Sequence, residues 1–161
     1  MTRVPISQIC QINPINSSKF AENPEQLVDF ISTAALHADG IVPTDISRPL
    51  RDVPRAYSIF ADGDVVITMN AGEQEQIRPV LIQNLKHSLG VGPPNLTVLR
   101  PSPLIKPRYL YHLMHSAAFR AAAQRCVPKN RILTQLPASI FEAIEIPVPE
   151  LRHQSRISDI L

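Results

Sequence analysis

Glycine is scarce in this chain, five residues in 161, whereas proline occurs sixteen times. Proline fixes φ and removes a backbone donor, so the connecting segments read as stiff rather than floppy. Cysteine is scarcer still. Cys10 and Cys126 stand far apart with no CxxC spacing, which argues against zinc chelation by closely spaced ligands and against a disulfide framework. Both read as small half-buried thiols. Neither sign of charge is in large excess: sixteen Lys and Arg against fourteen Asp and Glu leave a formal net charge of +2, with a pI near 8.7. A nucleic-acid binder with so small an excess must gather its positive charge on one face. No apolar run approaches a membrane span. The opening Met1-Thr2-Arg3-Val4-Pro5 has no signal-peptide core, so the expectation is a soluble, cytoplasmic protein without membrane contact.

Catalytic signatures are missing too. There is no GxxxxGK[ST] phosphate loop, no GxGxxG fingerprint, no HExxH pair and no GxSxG elbow. The histidines His37, His87, His112, His115 and His153 are scattered. His112 and His115 lie one helical turn apart and could share a metal, but no carboxylate or cysteine stands beside them to complete a site. Asp62 and Asp64 flank Gly63 in a turn, where aspartate serves backbone hydrogen bonds. The expectation is a non-catalytic protein with no metal and no cofactor; a small enzyme built on the His112/His115 face is the third-ranked reading.

Hydrophobic residues make up 44% of the chain, enough for one domain with a real core. The segment 4–14 reads as a short apolar turn that ends at the Asn13-Pro14 breaker. Leu27 to Leu36 reads as a strand, and His37 to Arg55 as a long loop broken by Gly40, Pro43, Pro49 and Pro54. Val65-Val66-Ile67-Thr68-Met69 is the clearest strand, a β-branched run expected to be buried on both faces. Asn70 to Arg78 reads as a polar loop leading to a strand at Val80-Leu81-Ile82, and Leu96 to Leu99 as a further strand. The period then changes. Pro107 opens a helix with Leu110, Leu113, Met114 and Ala117 at three-to-four spacing, and Ser116 is placed to cap a second helix carrying Phe119, Ala122 and Ala123. Ile144 and Ile146 return to strand, Pro147 and Pro149 end it, and Leu151 restarts a helical pattern. The fold class expected is α+β, a mixed twisted β-sheet domain with a C-terminal helical pair.

Five pieces of this sequence carry a resemblance. They are Ile6-Ser7-Gln8-Ile9-Cys10-Gln11-Ile12-Asn13-Pro14; Tyr57 to Val66 around Gly63-Asp64; Gly90-Val91-Gly92 with Leu96-Thr97-Val98-Leu99-Arg100-Pro101; Pro107 to Leu113 with Ser116 to Arg120; and Leu136-Pro137 with Ile144 to Gln154. In this order and spacing the chain resembles a single target recognition domain of a type I restriction–modification specificity subunit. Two departures accompany the likeness. The segment Arg125-Cys126-Val127-Pro128-Lys129-Asn130-Arg131-Ile132 has no glycine where family members often carry a glycine-rich loop, and the family's long helical spacer would follow Leu161. The resemblance thus implies a target recognition domain over residues 1–150, with 151–161 as the start of a truncated spacer helix.

What the resemblance implies for function is sequence-specific reading of a DNA half-site on behalf of other subunits. The partners implied are double-stranded DNA, a DNA methyltransferase subunit, the restriction (nuclease and translocase) subunit, and a second half-subunit or second copy of the chain. Phosphate contacts are expected from Lys19, Arg48, Arg51, Arg55, Lys86, Arg125, Lys129 and Arg131, which could form one basic face or could be ordinary solvated charges. Base reading is expected from Gln74, Gln76 and Arg78, because Gln can pair with adenine and Arg with guanine through two hydrogen bonds each. The rival reading is a protein-interaction module, a decayed half-subunit that docks on a methyltransferase without reading DNA.

Overall fold

The computed structural model describes residues 2–14, 24–32, 36, 46–54, 56–70, 76–94, 96–126 and 138–160. Its strands form three sheets rather than one. A two-stranded sheet pairs β1 (Thr2–Pro5) antiparallel with β10 (Glu145–Val148), which ties the two ends of the described chain together. A four-stranded antiparallel sheet has the order β2 (Cys10–Ile12), β9 (Thr97–Pro101), β6 (Val65–Asn70), β7 (Gln76–Leu81). A second four-stranded sheet has the order β4 (Ser47–Pro49), β3 (Leu27–Phe30), β8 (Gly90–Gly92), β5 (Ser58–Phe60), with β3 and β8 parallel. The helices are α1 (Ile6–Ile9), α2 (Pro107–His115), α3 (Ala117–Cys126), α4 (Ala138–Ala143) and α5 (Leu151–Ile160).

The β6 sheet forms the middle layer, and strand alternation divides its side chains between two cores. Val65, Ile67, Ile77 and Leu99 face the helices and pack with Leu110, Met114, Phe119 and Phe141. Val66, Val80 and Val98 face the other way and pack with Ile31 and Phe60 of the β3 sheet. Every residue from Val65 to Thr68 is buried, as a β-branched run without alternation requires. The far side of the β3 sheet is covered by its own connection, with Leu50 and Val53 against Val28 and Val91. No helix among the described residues is long and apolar enough to cross a membrane.

Several sequence-based boundaries are corrected. The opening 4–14 is no simple turn but a strand, a helical turn and a second strand, because Ile6 and Ile9 plug the helical core while β1 finds β10. The strand expected over Leu27 to Leu36 stops at Phe30. The long loop holds β4 and a 3-10 turn, Leu50–Asp52, whose Leu50 is buried. The polar loop expected over Asn70 to Arg78 is shorter, since Asn70 pairs with Gln76 and Thr68 with Arg78 in the β6–β7 hairpin. Polar residues join a strand where a partner saturates their backbone, whatever their hydropathy. Helix α4 has no counterpart in the sequence pattern; it is short, and Ile140 and Phe141 are its only buried residues.

Local chemistry explains the turns. Gly63 sits at φ +92°, a region closed to L-residues by their Cβ. A methyl group there would have room, meeting nothing nearer than Pro107 Cγ at 3.6 Å. Gly63→Ala is therefore expected to cost about 1–2 kcal/mol from backbone strain alone, read as a lower urea midpoint at unchanged m-value. Gly90 is different: a Cβ there would lie 2.6 Å from the Phe60 ring, so glycine makes room for that ring to lie across β8 from the neighbouring strand β5. Ser116 caps α3 as expected, its Oγ accepting from the Phe119 N–H at 3.1 Å.

Candidate nucleic-acid interface

The segments that carry the resemblance are bonded to one another. Asn13, in the left-handed region at φ 49°, donates its N–H to the Val98 carbonyl at 2.7 Å and accepts the Val98 N–H on Oδ1 at 2.9 Å. Asp64 is 1% exposed and holds the Arg100 guanidinium through two bonds, Nε to Oδ1 at 3.0 Å and Nη2 to Oδ2 at 2.9 Å. Its Oδ2 also accepts the Ala61 N–H at 2.8 Å. The Asp64 hydrogen bond, with its charge adding to it, holds the Arg100 pKa above the ordinary value against the opposing effect of burial. Tyr109 donates its hydroxyl to the Pro147 carbonyl at 2.8 Å. Gln154, fully buried, accepts the Lys106 N–H and donates to the Leu104 and Pro149 carbonyls. These bonds run between segments of the scaffold. They hold the scaffold.

The surface proper begins at Asp29, which has 0% exposure in the middle of β3. Its Oδ2 accepts the Lys86 N–H at 2.6 Å and the His87 N–H at 3.2 Å. The same loop is tied to the Asp62 turn by the Leu85 N–H on Oδ1 at 3.1 Å, and Gln26 Nε2 donates to Ser88 Oγ at 2.8 Å. His87 Nε2 lies 3.0 Å from Ser47 Oγ at the start of β4. The neighbouring Arg48 stacks its guanidinium 5.6 Å from the centroid of Phe30, whose ring leans on Tyr57. Burial of Asp29 thus fixes where the backbone of Lys86 and His87 stands, while Arg48 is held separately by its stacking on Phe30. A lone aspartate inside Leu27-Val28-Asp29-Phe30-Ile31 is the sequence signal for this anchor, since a charge in an apolar strand needs built-in partners.

Ser47, His87 and Asp29 include the residue types of a hydrolytic triad, but the arrangement is not one. Asp29 Oδ1 lies 3.9 Å from His87 Nε2, the same ring nitrogen that faces Ser47. A relay needs the acid and the nucleophile on opposite nitrogens.

Among the expected phosphate contacts, Arg48, Arg51 and Lys86 are brought together around β4 and the loop after β7. Arg51 is partly neutralised there, paired with Glu25 and, at 3.7 Å, with Asp52. Arg125 belongs to another region, where α3 faces β10 across a cleft that also includes Arg3 and Glu145. Lys19, Arg55, Lys129, Arg131 and Gln74 lie outside the described residues. Gln76 opens β7, and Arg78 stands on the β7 face opposite Ile77 and Pro79. The hairpin tip and the Lys86 loop are at opposite ends of β7, on the order of 15–20 Å apart for a six-residue strand. A single point contact cannot use both sets, whereas a duplex spans that distance.

His112 and His115 lie on α2, with the rings of both edge-on to Tyr111. Burial lowers both pKa values, reinforced at His112 by Arg108 and at His115 by Arg120 and His112; a hydrogen bond to the Pro79 carbonyl acts the other way on His115. Cationic neighbours are the wrong surroundings for a metal. No group of three metal-ligating side chains occurs among the described residues. Cys10 is buried, and burial pushes its thiol up to about 12.

No protein-family model matches the chain. The chain is 30% identical over 156 residues to the type I restriction enzyme EcoAI specificity subunit of Escherichia coli, covering 94% of this chain and 26% of that protein. Its homologues are type I restriction enzyme specificity subunits. The EcoEI specificity subunit of E. coli is 27% identical over 157 residues, 96% of this chain and 26% of that protein. The chain thus spans about a quarter of the length of the specificity subunits it matches. The crystal structure of the HsdS subunit from Thermoanaerobacter tengcongensis superposes with a TM-score of 0.72 at 16% identity, over 99% of this chain and 40% of that one. A chain from a structure of the type I R-M system, solved to explain complex assembly and conformational transition, gives 0.63 at 17% identity, over 99% and 36%. The α+β fold expected from the sequence is the fold of these specificity subunits.

Proposed function

We propose that this chain reads a DNA half-site as a target recognition domain, without catalysing a reaction, and thereby directs methyltransferase and restriction subunits in the cytoplasm. The observation that carries this is homology to specificity subunits over 94% of the chain. On this reading, residues 1–150 are the recognition domain and α5 begins a spacer helix. Helix α5 is rooted by Gln154 and leaves Leu151 and Ile160 exposed at 43% and 84%, which suits a helix that meets other subunits. Lys86, on the loop that Asp29 holds, and Arg48 of β4 contact phosphates, with Arg51 joining them if Glu25 releases it. Arg78 and Gln76 of β7, with Gln74, are the base-reading set, while Lys19, Arg55, Arg125, Lys129 and Arg131 remain further candidates for the phosphate set. A second copy or half-subunit would pair two such sites into a split, two-fold target.

The test is selection from a random duplex library using the chain with a type I methyltransferase subunit. An enriched sequence is the expected result; intact complex formation with a flat sequence profile would instead make the chain an interaction module. The double variant Arg48→Gln/Lys86→Gln is expected to weaken all duplexes alike. It should also reduce the slope of log K against log salt by about two, at ~0.9 for each phosphate no longer neutralised.

A further inference from the structure

Helix α2 carries a cationic patch that the scaffold does not use. Arg108, His112 and His115 project from successive turns, and Arg120 reaches them from α3, its Nη2 3.4 Å from His115 Nδ1. Arginine cannot accept a hydrogen bond, so in this contact His115 Nδ1 is the unprotonated nitrogen. Protonating His115 would set two cations against each other. The buried atoms His112 Nε2 and Arg120 Nε have no partner, which is costly unless a ligand supplies one. The only carboxylate paired with the patch among the described residues is Asp159 of α5, 3.5 Å from Arg108 with both side chains largely exposed. The elements packed on this helix add little: β7 presents the Pro79 carbonyl with Arg78 on its opposite face, and β6 has no charged residue beyond the buried Asp64 that precedes it. Four groups able to carry positive charge therefore stand together with one weak counter-charge among the described residues.

We infer that Arg108, His112, His115 and Arg120 form a second anion site, which takes a phosphate of the DNA backbone with uptake of protons by the histidines. This rests on the DNA reading above and extends it. Strand β7 is an edge strand, with α2 packed over it on one side and the Lys86 loop leaving from its end. The patch on α2 thus stands against the same strand from whose end the Lys86 loop leaves. A phosphate oxygen between His115 and Arg120 accepts from both, and converts their mutual repulsion into two charge-assisted bonds. The free histidines have lowered pKa values and a phosphate raises them. Binding therefore strengthens as pH falls through the window between the value in the complex and the lower value in the free protein.

The experiment measures duplex affinity by fluorescence anisotropy from about pH 7.5 to about pH 5.5 at constant salt, across the range where histidines titrate. The expected result is tightening by up to roughly tenfold per pH unit for each proton taken up, abolished in His112→Gln/His115→Gln and reduced in Arg120→Gln. Arg48→Gln/Lys86→Gln is expected to keep the pH dependence while its salt dependence becomes shallower. Imidazole resonances of the unmodified chain, titrated with duplex and with inorganic phosphate, give a readout that needs no variant: His115 should titrate at higher pH with duplex. Affinity independent of pH, pH dependence surviving the double histidine variant, or an unmoved His115 resonance overturns the inference alone. A chain that retains no duplex at any pH overturns the DNA reading and this inference together. A shift produced by free phosphate but not by duplex assigns the patch to small anions and also overturns it.

Discussion

Asp64→Ala is expected to lower the stability of this domain by about 3 kcal/mol, at the low end of the ~3–5 kcal/mol observed when one partner of a buried ion pair is removed. The low end applies because the Arg100 side chain keeps 31% exposure, so water can solvate part of the orphaned guanidinium. The Ala61 N–H loses its acceptor as well. For a domain of this size the shift in Tm is roughly 2–4 °C per kcal/mol, close to 10 °C in total, measured by calorimetry or circular dichroism. Asp64→Asn is expected to recover part of the loss by restoring an acceptor for Ala61. In a double-mutant cycle with Arg100→Met, a coupling energy below about 0.5 kcal/mol would show that the pair does not hold the Gly63 turn to β9.

Asp29→Ala is expected to damage both stability and DNA binding. It leaves the N–H groups of Lys86 and His87 without their acceptor, each bond to a carboxylate being worth about 1.5–3 kcal/mol. A loss of about 3 kcal/mol follows, read as a lower urea midpoint. The loop that presents Lys86 then loses its attachment to β3, and duplex affinity should fall by about tenfold, the effect of misplacing one charge-assisted contact of ~1.4 kcal/mol. Asp29→Asn keeps an acceptor oxygen and should restore most of both. If Asp29→Ala binds duplex normally while losing stability, Asp29 supports only the fold and the Lys86 loop is not part of the interface.

Residues whose role follows from local covalent geometry are legible in the sequence itself. Gly63 declares a turn, Pro107 a first helical position, Ser116 a cap, and Val65 to Thr68 a strand buried on both faces. Polar hairpin residues are not. Asn70, Gln76 and Arg78 read as loop because hydropathy records side chains, whereas their strand is made by backbone pairing between β6 and β7. The basic residues are visible as a set and unsorted as a surface. Nothing in the spacing of Arg48, Lys86 and Arg125 says that Asp29 holds the loop of the second, that Phe30 holds the first, or that the third belongs beside β10.

The five segments that mark this chain as similar to specificity subunits are visible in sequence because each holds a glycine, proline, aspartate or glutamine with a strict backbone duty. That much the sequence determines: the α+β scaffold and its kinship. Only the tertiary structure decides that those duties are mutual, with Asn13 on Val98, Asp64 on Arg100, Tyr109 on Pro147 and Gln154 on Lys106. It also decides that His115 stands beside Arg120 against the Pro79 carbonyl of β7. The reason is physical: local propensity acts over a few residues, whereas hydrogen bonds and charges act over a few ångströms between residues as many as 142 positions apart.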